Sequence, residues 1–364
     1  MLGTAAAPAA YHLSSAVQSQ RSPPCPHTSR ALPVSRTLSP KILARAIGVS
    51  ESSLKRWSDD GLLRADRTAG GHRRITLQEA VRFIRSVGAT VVRADLLGLA
   101  ELAALGGEWA STADVPRAFH TALEGGHAAQ VRAMTQALYL SGWPPAAIFD
   151  GPMRSSLAEI GELWLHAEWG IVVEHRATDV CIQAINQLRF LSPVRTGLAP
   201  VAVGSAAESD PYMLPSLMAA AVVGDCGFLD VNLGTITPPL VLANAAAHYK
   251  AKLAWVSISA APDMKKLATD ISKLSVTLRA TGCALVIGGR MAGSLSAAEI
   301  PGVMVANSMA ELGAFARGVI AQHETDIGVQ GRAAAAAALE EASGRTTNLT
   351  DDDLSGSADG DDSK

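Results

Sequence analysis

The sequence predicts a multidomain α + α/β protein, and three observations support that prediction. Short helical stretches punctuated by glycine come first, a long stretch of helical periodicity follows, and short apolar runs then alternate with helices up to about residue 325. Of all residues, 48% are hydrophobic and 18% are charged, which is typical of a globular chain. Only 4% are aromatic, which favours packed helices and an α/β layer over a β-sandwich.

These patterns divide the chain into five segments. We expect a disordered leader (1–36), a small head segment (37–88), a four-helix bundle (89–197), a doubly wound parallel sheet (198–325), and a helix with an acidic disordered tail (326–364). The leader is rich in Ala, Ser and Pro, and the chain has no acidic residue before Glu51. A transit peptide has that composition, but a disordered leader or an over-long gene start is favoured.

Charge is distributed unevenly along the chain. The formal net charge is −3, yet the stretch from Thr37 to Ser86 holds ten Lys and Arg against five acids. At the other end, the tail carries a run of aspartates: Asp351, Asp352, Asp353, Asp359, Asp361 and Asp362. A small basic segment on an acidic body indicates a polyanionic partner that binds at one place.

The four cysteines, Cys25, Cys181, Cys226 and Cys283, lie far apart, without the spacing of a metal site or of a disulfide framework. The last three lie in apolar runs, which predicts buried free thiols. No apolar run reaches the length of a membrane span. We therefore expect a soluble cytoplasmic protein without a membrane partner.

The head segment is predicted to be a winged helix-turn-helix. Its first helix has an apolar side, Gly48 permits a sharp turn, Ser50 can cap the next helix, and Leu54 and Trp57 supply that helix's buried face. Gly70 and the glycine after it make the tip of a tight wing.

Two sets of side chains in the head segment are predicted to contact double-stranded DNA. From the second helix, the candidates for base edges in the major groove are Ser52, Ser53, Lys55 and Arg56. From the wing, the candidates for phosphates are Arg67, His72, Arg73 and Arg74. A basic helical hairpin that packs against another protein is the alternative.

The head segment resembles the MerR family of transcription regulators. The resemblance rests on Lys55-Arg56-Trp57, on Gly61-Leu62-Leu63, and on the wing Arg67-Thr68-Ala69-Gly70-Gly71-His72-Arg73. It implies a sequence-specific regulator. Because one such module makes few base contacts, we expect a homo-oligomer on repeated half-sites.

Beyond the bundle, five short apolar runs predict strands at Val201–Ser205, Phe228–Leu233, Leu253–Ser259, Ala284–Gly288 and Gly302–Ala306. Helical stretches such as Pro238–Tyr249 and Met264–Thr281 separate them. Alternation of this kind predicts a Rossmann-like (flavodoxin-like) doubly wound sheet, with ligands beyond the carboxyl ends of its strands.

The bundle and the sheet together resemble the paired domains of cobalamin-binding proteins, in particular MerR-type light-responsive repressors that bind adenosylcobalamin. The residues behind this resemblance are the turn Gly125-Gly126-His127, Trp164, and the pair Glu174-His175. The resemblance implies that Trp164, Glu174 and His175 cover the upper face of a corrin ring. Taken singly, Trp164 also fits a core position, and the pair fits a polar helix start.

The family motif that ligates cobalt is altered here. The resemblance places Glu208-Ser209-Asp210-Pro211-Tyr212-Met213 where the family has its Glu/Asp-x-His-x-x-Gly, so Asp210 stands for the cobalt-ligating histidine and Met213 for the glycine. Leu165 follows Trp164 where some light sensors have a histidine, and His166 lies one position later. The resemblance also implies that Ser257, Ser259, Gly288 and Gly289 line a channel for the nucleotide tail.

The resulting hypothesis is a DNA-binding repressor, without catalytic activity, that is controlled by oligomerisation and has cobalamin as its candidate ligand. The alternative is a corrinoid-binding protein or a methyl-transfer accessory module. A degenerate sensory region that holds another ligand such as haem, and an architectural DNA-binding protein, also stay open.

Overall fold

The computed structural model describes residues 36–105, 114–163, 168–193, 199–295 and 298–325. It is a mixed α/β protein whose largest sheet has five parallel strands. The predicted leader up to residue 35, the predicted helix near 331–343 and the acidic tail lie outside the described residues, as do Cys25, Trp164, Leu165 and His166.

The head segment consists of short elements that follow one another closely. Its helices are α1 (Pro40–Ile47), α2 (Glu51–Asp59) and α3 (Leu77–Val87), and its strands are β1 (Thr37–Leu38), β2 (Asp66–Arg67) and β3 (Arg73–Thr76). The strands form an antiparallel sheet in the order β1-β3-β2.

Each helix of the head segment begins at a capping side chain. Ser39, Ser50 and Thr76 accept hydrogen bonds from the first-turn amides of α1, α2 and α3, and so satisfy donors that have no partner inside the helix. Gly48, at φ +72°, ends α1 in the left-handed conformation and allows the sharp turn into α2.

The middle of the chain is helical. Its elements are α4 (Ala94–Leu97), α5 (Ala100–Leu105), α6 (Val115–Glu124), α7 (Ala128–Leu140), α8 (Pro145–Ile148), one π-helical turn (Phe149–Met153), α9 (Arg154–Leu163) and α10 (Glu168–Leu191). The helices α6, α7, α9 and α10 pack on one another around an apolar core that includes Phe119, Met134 and Ile185.

The α/β region contains β4 (Val201–Ala206), β5 (Leu229–Asn232), β6 (Leu253–Ser257), β7 (Ala284–Gly288) and β8 (Met304–Ala306) in the order β5-β4-β6-β7-β8. Its helices are α11 (Leu214–Cys226), α12 (Pro239–Tyr249), α13 (Met264–Ala280) and α14, residues 309–325. The structure confirms all five predicted strands and their parallel, doubly wound order. The predicted ends differ from the observed ends by at most two residues.

The two faces of this sheet have separate apolar cores. Trp255, on one face, packs with α11, α14 and the bundle, whereas Val256, on the other, packs with α12 and α13. The indole of Trp255 lies directly over Gly204 of the neighbouring strand. Its Nε1 donates to Ser216 Oγ at 3.0 Å, and that hydroxyl donates to Asn232 Oδ1 at 3.0 Å. The buried indole nitrogen is therefore satisfied.

Contacts join the head segment, the bundle and the α/β region, which belong to one compact unit. The Arg85 guanidinium of α3 lies 3.7 Å from the centre of the Tyr139 ring of α7 and donates to the main-chain oxygens of Tyr139 and Trp143. Tyr139 Oη in turn donates to Asp225 Oδ1 of α11 at 3.0 Å. Burial and the neighbouring Asp225 raise the pKa of Tyr139 to about 12, so the hydroxyl stays a donor at neutral pH.

Two of the cysteines have the environment that the sequence predicted. Cys181 and Cys283 are buried free thiols, and burial raises the pKa of each to about 12. Cys226 is half-buried. Among the described residues, none of the helices combines the length and apolar character that a membrane span requires.

We predict that Gly204→Ala destabilises the fold by about 1–3 kcal/mol, because the new methyl group overlaps the Trp255 ring. A Cβ built at this position lies only 1.9 Å from Trp255 Cδ2. The measurement is the midpoint of urea unfolding. Gly161→Ala is the matched control, since Gly161 lies in α9 with open space around its Cβ position, and we expect a gain of up to about 1 kcal/mol there. Equal midpoints for both variants would contradict the packing described above.

Candidate functional sites

A basic groove lies on the head segment. Its charged lining consists of Lys41, Glu51, Lys55, Arg67, Arg73 and Arg74, with His72 beside them. Five cations therefore face one carboxylate. Exposed cations in a concave surface attract an extended polyanion.

The helix α2 contributes Ser52 and Lys55 to this basic groove. Ser53 is placed differently, because its hydroxyl lies 2.9 Å from Ser50 Oγ and its amide donates to the same atom at 3.1 Å. Ser53 thus helps to cap α2, while Arg56 is exposed on the same helix. Their predicted contacts with bases stay predictions.

The hairpin between β2 and β3 forms the other wall of the basic groove. Gly71, at φ +76°, makes its tight tip, where the Thr68 amide donates to the His72 oxygen at 2.9 Å. Arg73 Nη2 lies 2.6 Å from Asp59 Oδ1 and so ties the hairpin to α2, whereas Arg74 is exposed. The Arg73–Asp59 pair is a feature that the sequence pattern did not indicate.

A second candidate site lies at the carboxyl ends of the parallel strands. Asp210 is fully buried there. Its Oδ1 accepts from the Tyr212 amide at 2.9 Å, its Oδ2 accepts from the Ser259 amide, and its main-chain oxygen accepts from the Ile236 amide at 3.2 Å. Asp210 therefore ties together the loops that follow β4, β5 and β6.

These contacts decide whether Asp210 could act as a cobalt ligand in place of the histidine that the resemblance to cobalamin-binding proteins implies at this position. Both carboxylate oxygens already accept hydrogen bonds from main-chain amides, and the side chain has no exposed surface. A buried carboxylate held in this way does not reach a ring outside the sheet edge. The position does not fit a lower axial ligand.

Of the predicted tail-channel residues, Ser259 bonds to Asp210, and Ser257 pairs with Gly288 at the ends of β6 and β7. Ser257 is 5% exposed, and its hydroxyl is buried without a hydrogen-bond partner among the described residues. A Cβ at Gly289 would lie 2.5 Å from the Ile258 oxygen, so the backbone there passes close to the end of β6. An unsatisfied buried hydroxyl beside small residues fits a ligand that offers a hydrogen-bonding atom.

On the bundle, Glu174 and His175 lie near the beginning of α10. Glu174 is half-buried and accepts from Thr178 Oγ1 at 3.4 Å, and the His175 side chain is 77% exposed at 3.6 Å from the Glu174 carboxylate. Trp164 lies outside the described residues, so its predicted place with this pair stays a prediction.

Sequence reasoning missed two features around these sites. The first turn of α10 exposes Trp169, Ile171 and Val172, which helical periodicity alone would have placed partly inside. A small pocket also opens between α12 and α13, with Lys266 paired to Glu208 at 2.6 Å on its rim. Among the described residues, no cluster of three or more His, Cys, Asp or Glu side chains could hold a metal ion.

Comparison with known families identifies the class of domain to which the bundle is similar. Residues 116–189 match the family model of the B12 binding domain. The matched range runs from α6 through most of α10, and it includes Glu174 and His175. The matched range begins after the head segment, so the match says nothing about the class of that segment.

Similar solved structures come from corrinoid proteins. The monomethylamine corrinoid protein of Methanosarcina barkeri is 18% identical with a TM-score of 0.43, and the match covers 55% of this chain and 96% of that one. The cobalamin-binding protein of Desulfitobacterium hafniense DCB-2 is 14% identical with a TM-score of 0.32, covering 57% and 97%. The methanol:cobalamin methyltransferase complex MtaBC of Methanosarcina barkeri is 15% identical with a TM-score of 0.30, covering 58% and 81%.

These similarities are too low to say anything about the ligands or partners of this chain. No curated protein sequence matches it.

We predict that Asp210→Ala destabilises the strand-end loops by about 1–3 kcal/mol, because the Tyr212 and Ser259 amides lose the fully buried carboxylate that accepts from them. Asp210→Asn, which keeps one acceptor oxygen, should lose less. The measurement is hydrogen exchange of the Tyr212 and Ser259 amides, which should be fastest in Asp210→Ala. Unchanged exchange at both amides would show that the carboxylate is not what holds these loops.

Proposed function

We propose that this chain is a corrinoid-binding protein. The observation that carries the proposal is the match of residues 116–189 to the B12 binding domain. The five-stranded parallel sheet that follows the bundle supports it, since ligands of such sheets bind beyond the carboxyl ends of the strands.

Residues at the sheet edge would hold the nucleotide end of the corrinoid. Ser257 would offer its unpartnered hydroxyl, and Ser259, Gly288 and Gly289 would allow close approach of the backbone. Glu174 and His175, with Trp164, would contact the ring from the side of the bundle. A bound corrinoid supplies a cobalt ion that can carry an axial alkyl group. Asp210 would stay out of its coordination because both carboxylate oxygens are already engaged.

We predict that the purified protein retains hydroxocobalamin through desalting, with a base-off visible spectrum, because a nucleotide tail held at the strand ends cannot also coordinate cobalt and Asp210 offers no replacement ligand. Ser257→Ala should lower the affinity for hydroxocobalamin by about tenfold, which corresponds to the loss of roughly one hydrogen bond. Cobinamide, which lacks the nucleotide tail, serves as the control ligand, and its affinity should not respond to Ser257→Ala. If the protein leaves the desalting column without corrinoid absorbance, the proposed corrinoid binding is wrong.

A second candidate function is DNA binding, and the basic groove favours it. We propose that the head segment is a winged helix-turn-helix in which α2 enters the major groove and the β2–β3 hairpin contacts the backbone. The resemblance of its sequence to MerR regulators supports this proposal, and so does the cationic lining by Lys41, Lys55, Arg67 and Arg74.

The corrinoid-binding role has the stronger support, because a family model matches the bundle and the DNA role rests on the head segment alone. The two roles are compatible in one chain. We propose that the chain combines them as a non-catalytic, oligomeric regulator in the cytoplasm. A bound corrinoid would favour one oligomeric state over another. A methyl-transfer accessory module would use the same bundle and sheet without needing the basic groove.

We predict that Arg74→Ala weakens binding to all duplexes and lowers the slope of log affinity against log salt by about 1, because one phosphate contact is lost. Arg56→Ala should instead reduce discrimination between a selected and a scrambled duplex, by about 1–3 kcal/mol. Fluorescence anisotropy over a salt series measures both effects. The control is Lys273→Ala, an exposed lysine of α13. If that variant changes affinity as much as Arg74→Ala, the groove is not the binding surface.

A further inference from the structure

The acidic tail has no part in either proposed function. Between residues 351 and 362 it carries six aspartates and no lysine or arginine. Such a segment repeats negative charge along the sequence, which is also the electrostatic character of a nucleic acid strand. It is therefore suited to a concave surface lined by cations.

The basic groove of the head segment is the matching surface. The five cations in its lining face one carboxylate, Glu51. Among the ion pairs of the described residues, one involves these cations, between Arg73 and Asp59, and none neutralises Lys41, Lys55, Arg67 or Arg74. Four cations thus lie open to a partner with several carboxylates.

The chain between α14 and the aspartates is long enough to reach this groove. Residues 326–350 could span about 80 Å if fully extended, and roughly 60 Å if 331–343 form the helix that the sequence predicts. The compact part of the chain should measure about 50 Å across. A tethered partner also has an effective concentration near the millimolar range, so weak exposed pairs are enough for occupancy.

We infer that residues 351–362 bind in the basic groove of the same chain and compete there with other polyanions. The competition with DNA rests on the proposed DNA-binding function, whereas the docking itself does not. Because the groove cations are exposed, the docked state weakens as salt screens the charges, with a screening length of about 10 Å at 0.1 M.

The first test is carbodiimide crosslinking of the full chain at low salt, mapped by mass spectrometry, which joins carboxylates to lysine amines in contact. The expected crosslinks join 351–362 to Lys41 or Lys55, and they disappear when salt is raised. A variant in which the six aspartates are replaced by asparagine has no carboxylate to couple there, and it serves only to verify which peptides the crosslinks contain. Lys265 and Lys273 of α13 are the internal controls. If the segment crosslinks to these control lysines as much as to Lys41 and Lys55, the inference is overturned. It is also overturned if no crosslink to Lys41 or Lys55 forms.

Mixing isotopically heavy and light protein decides which chain supplies the segment. Crosslinks within one isotope class support docking in the same chain, and mixed crosslinks overturn it in favour of a second copy. For competition, the six-asparagine variant should bind duplex DNA about tenfold more tightly than the native chain at low salt, and equally at high salt. Equal affinity at low salt would overturn the competition. If neither protein binds DNA, the proposed DNA function fails, while the crosslinks still decide the docking.

Discussion

The buried side chain of Tyr139 connects the three parts of this protein. Its ring supports the Arg85 guanidinium of α3, its main-chain oxygen accepts from the same group, and its hydroxyl donates to Asp225 of α11. Because α11 starts directly after the loop held by Asp210, the strand ends and the head segment are connected through one helix and the side chains of Asp225, Tyr139 and Arg85. A shift of α11 would therefore act on α3 through contacts that exist in the folded chain.

Two buried polar side chains at the strand ends decide what this edge of the sheet could hold. Asp210 binds loop amides and holds three loops together, and the neighbouring Ser257 hydroxyl has no partner among the described residues. The first observation removes a lower cobalt ligand, and the second leaves a place for a hydrogen-bonding atom. A corrinoid held here would depend on its tail and on the bundle for affinity.

The sequence predicted the elements better than the contacts between them. Short apolar runs between helical stretches located all five strands, and Ser50 marked the cap of α2, because these signals are local in the chain. The pairing of Arg73 with Asp59 and the hydrogen bond from the Ser259 amide to Asp210 join residues 14 and 49 positions apart. No periodicity encodes such partners. The exposed Trp169 was missed because apolar character predicts burial only on average.

The contact between Gly204 and Trp255 has a consequence for the history of this sheet. A side chain cannot enter at position 204 while the indole occupies that space, and a smaller residue at 255 would leave a void beside the glycine and remove the partner of Ser216. Neither position can drift independently. Any history of substitution at these two positions that avoids a less stable ancestor therefore requires that both changed together.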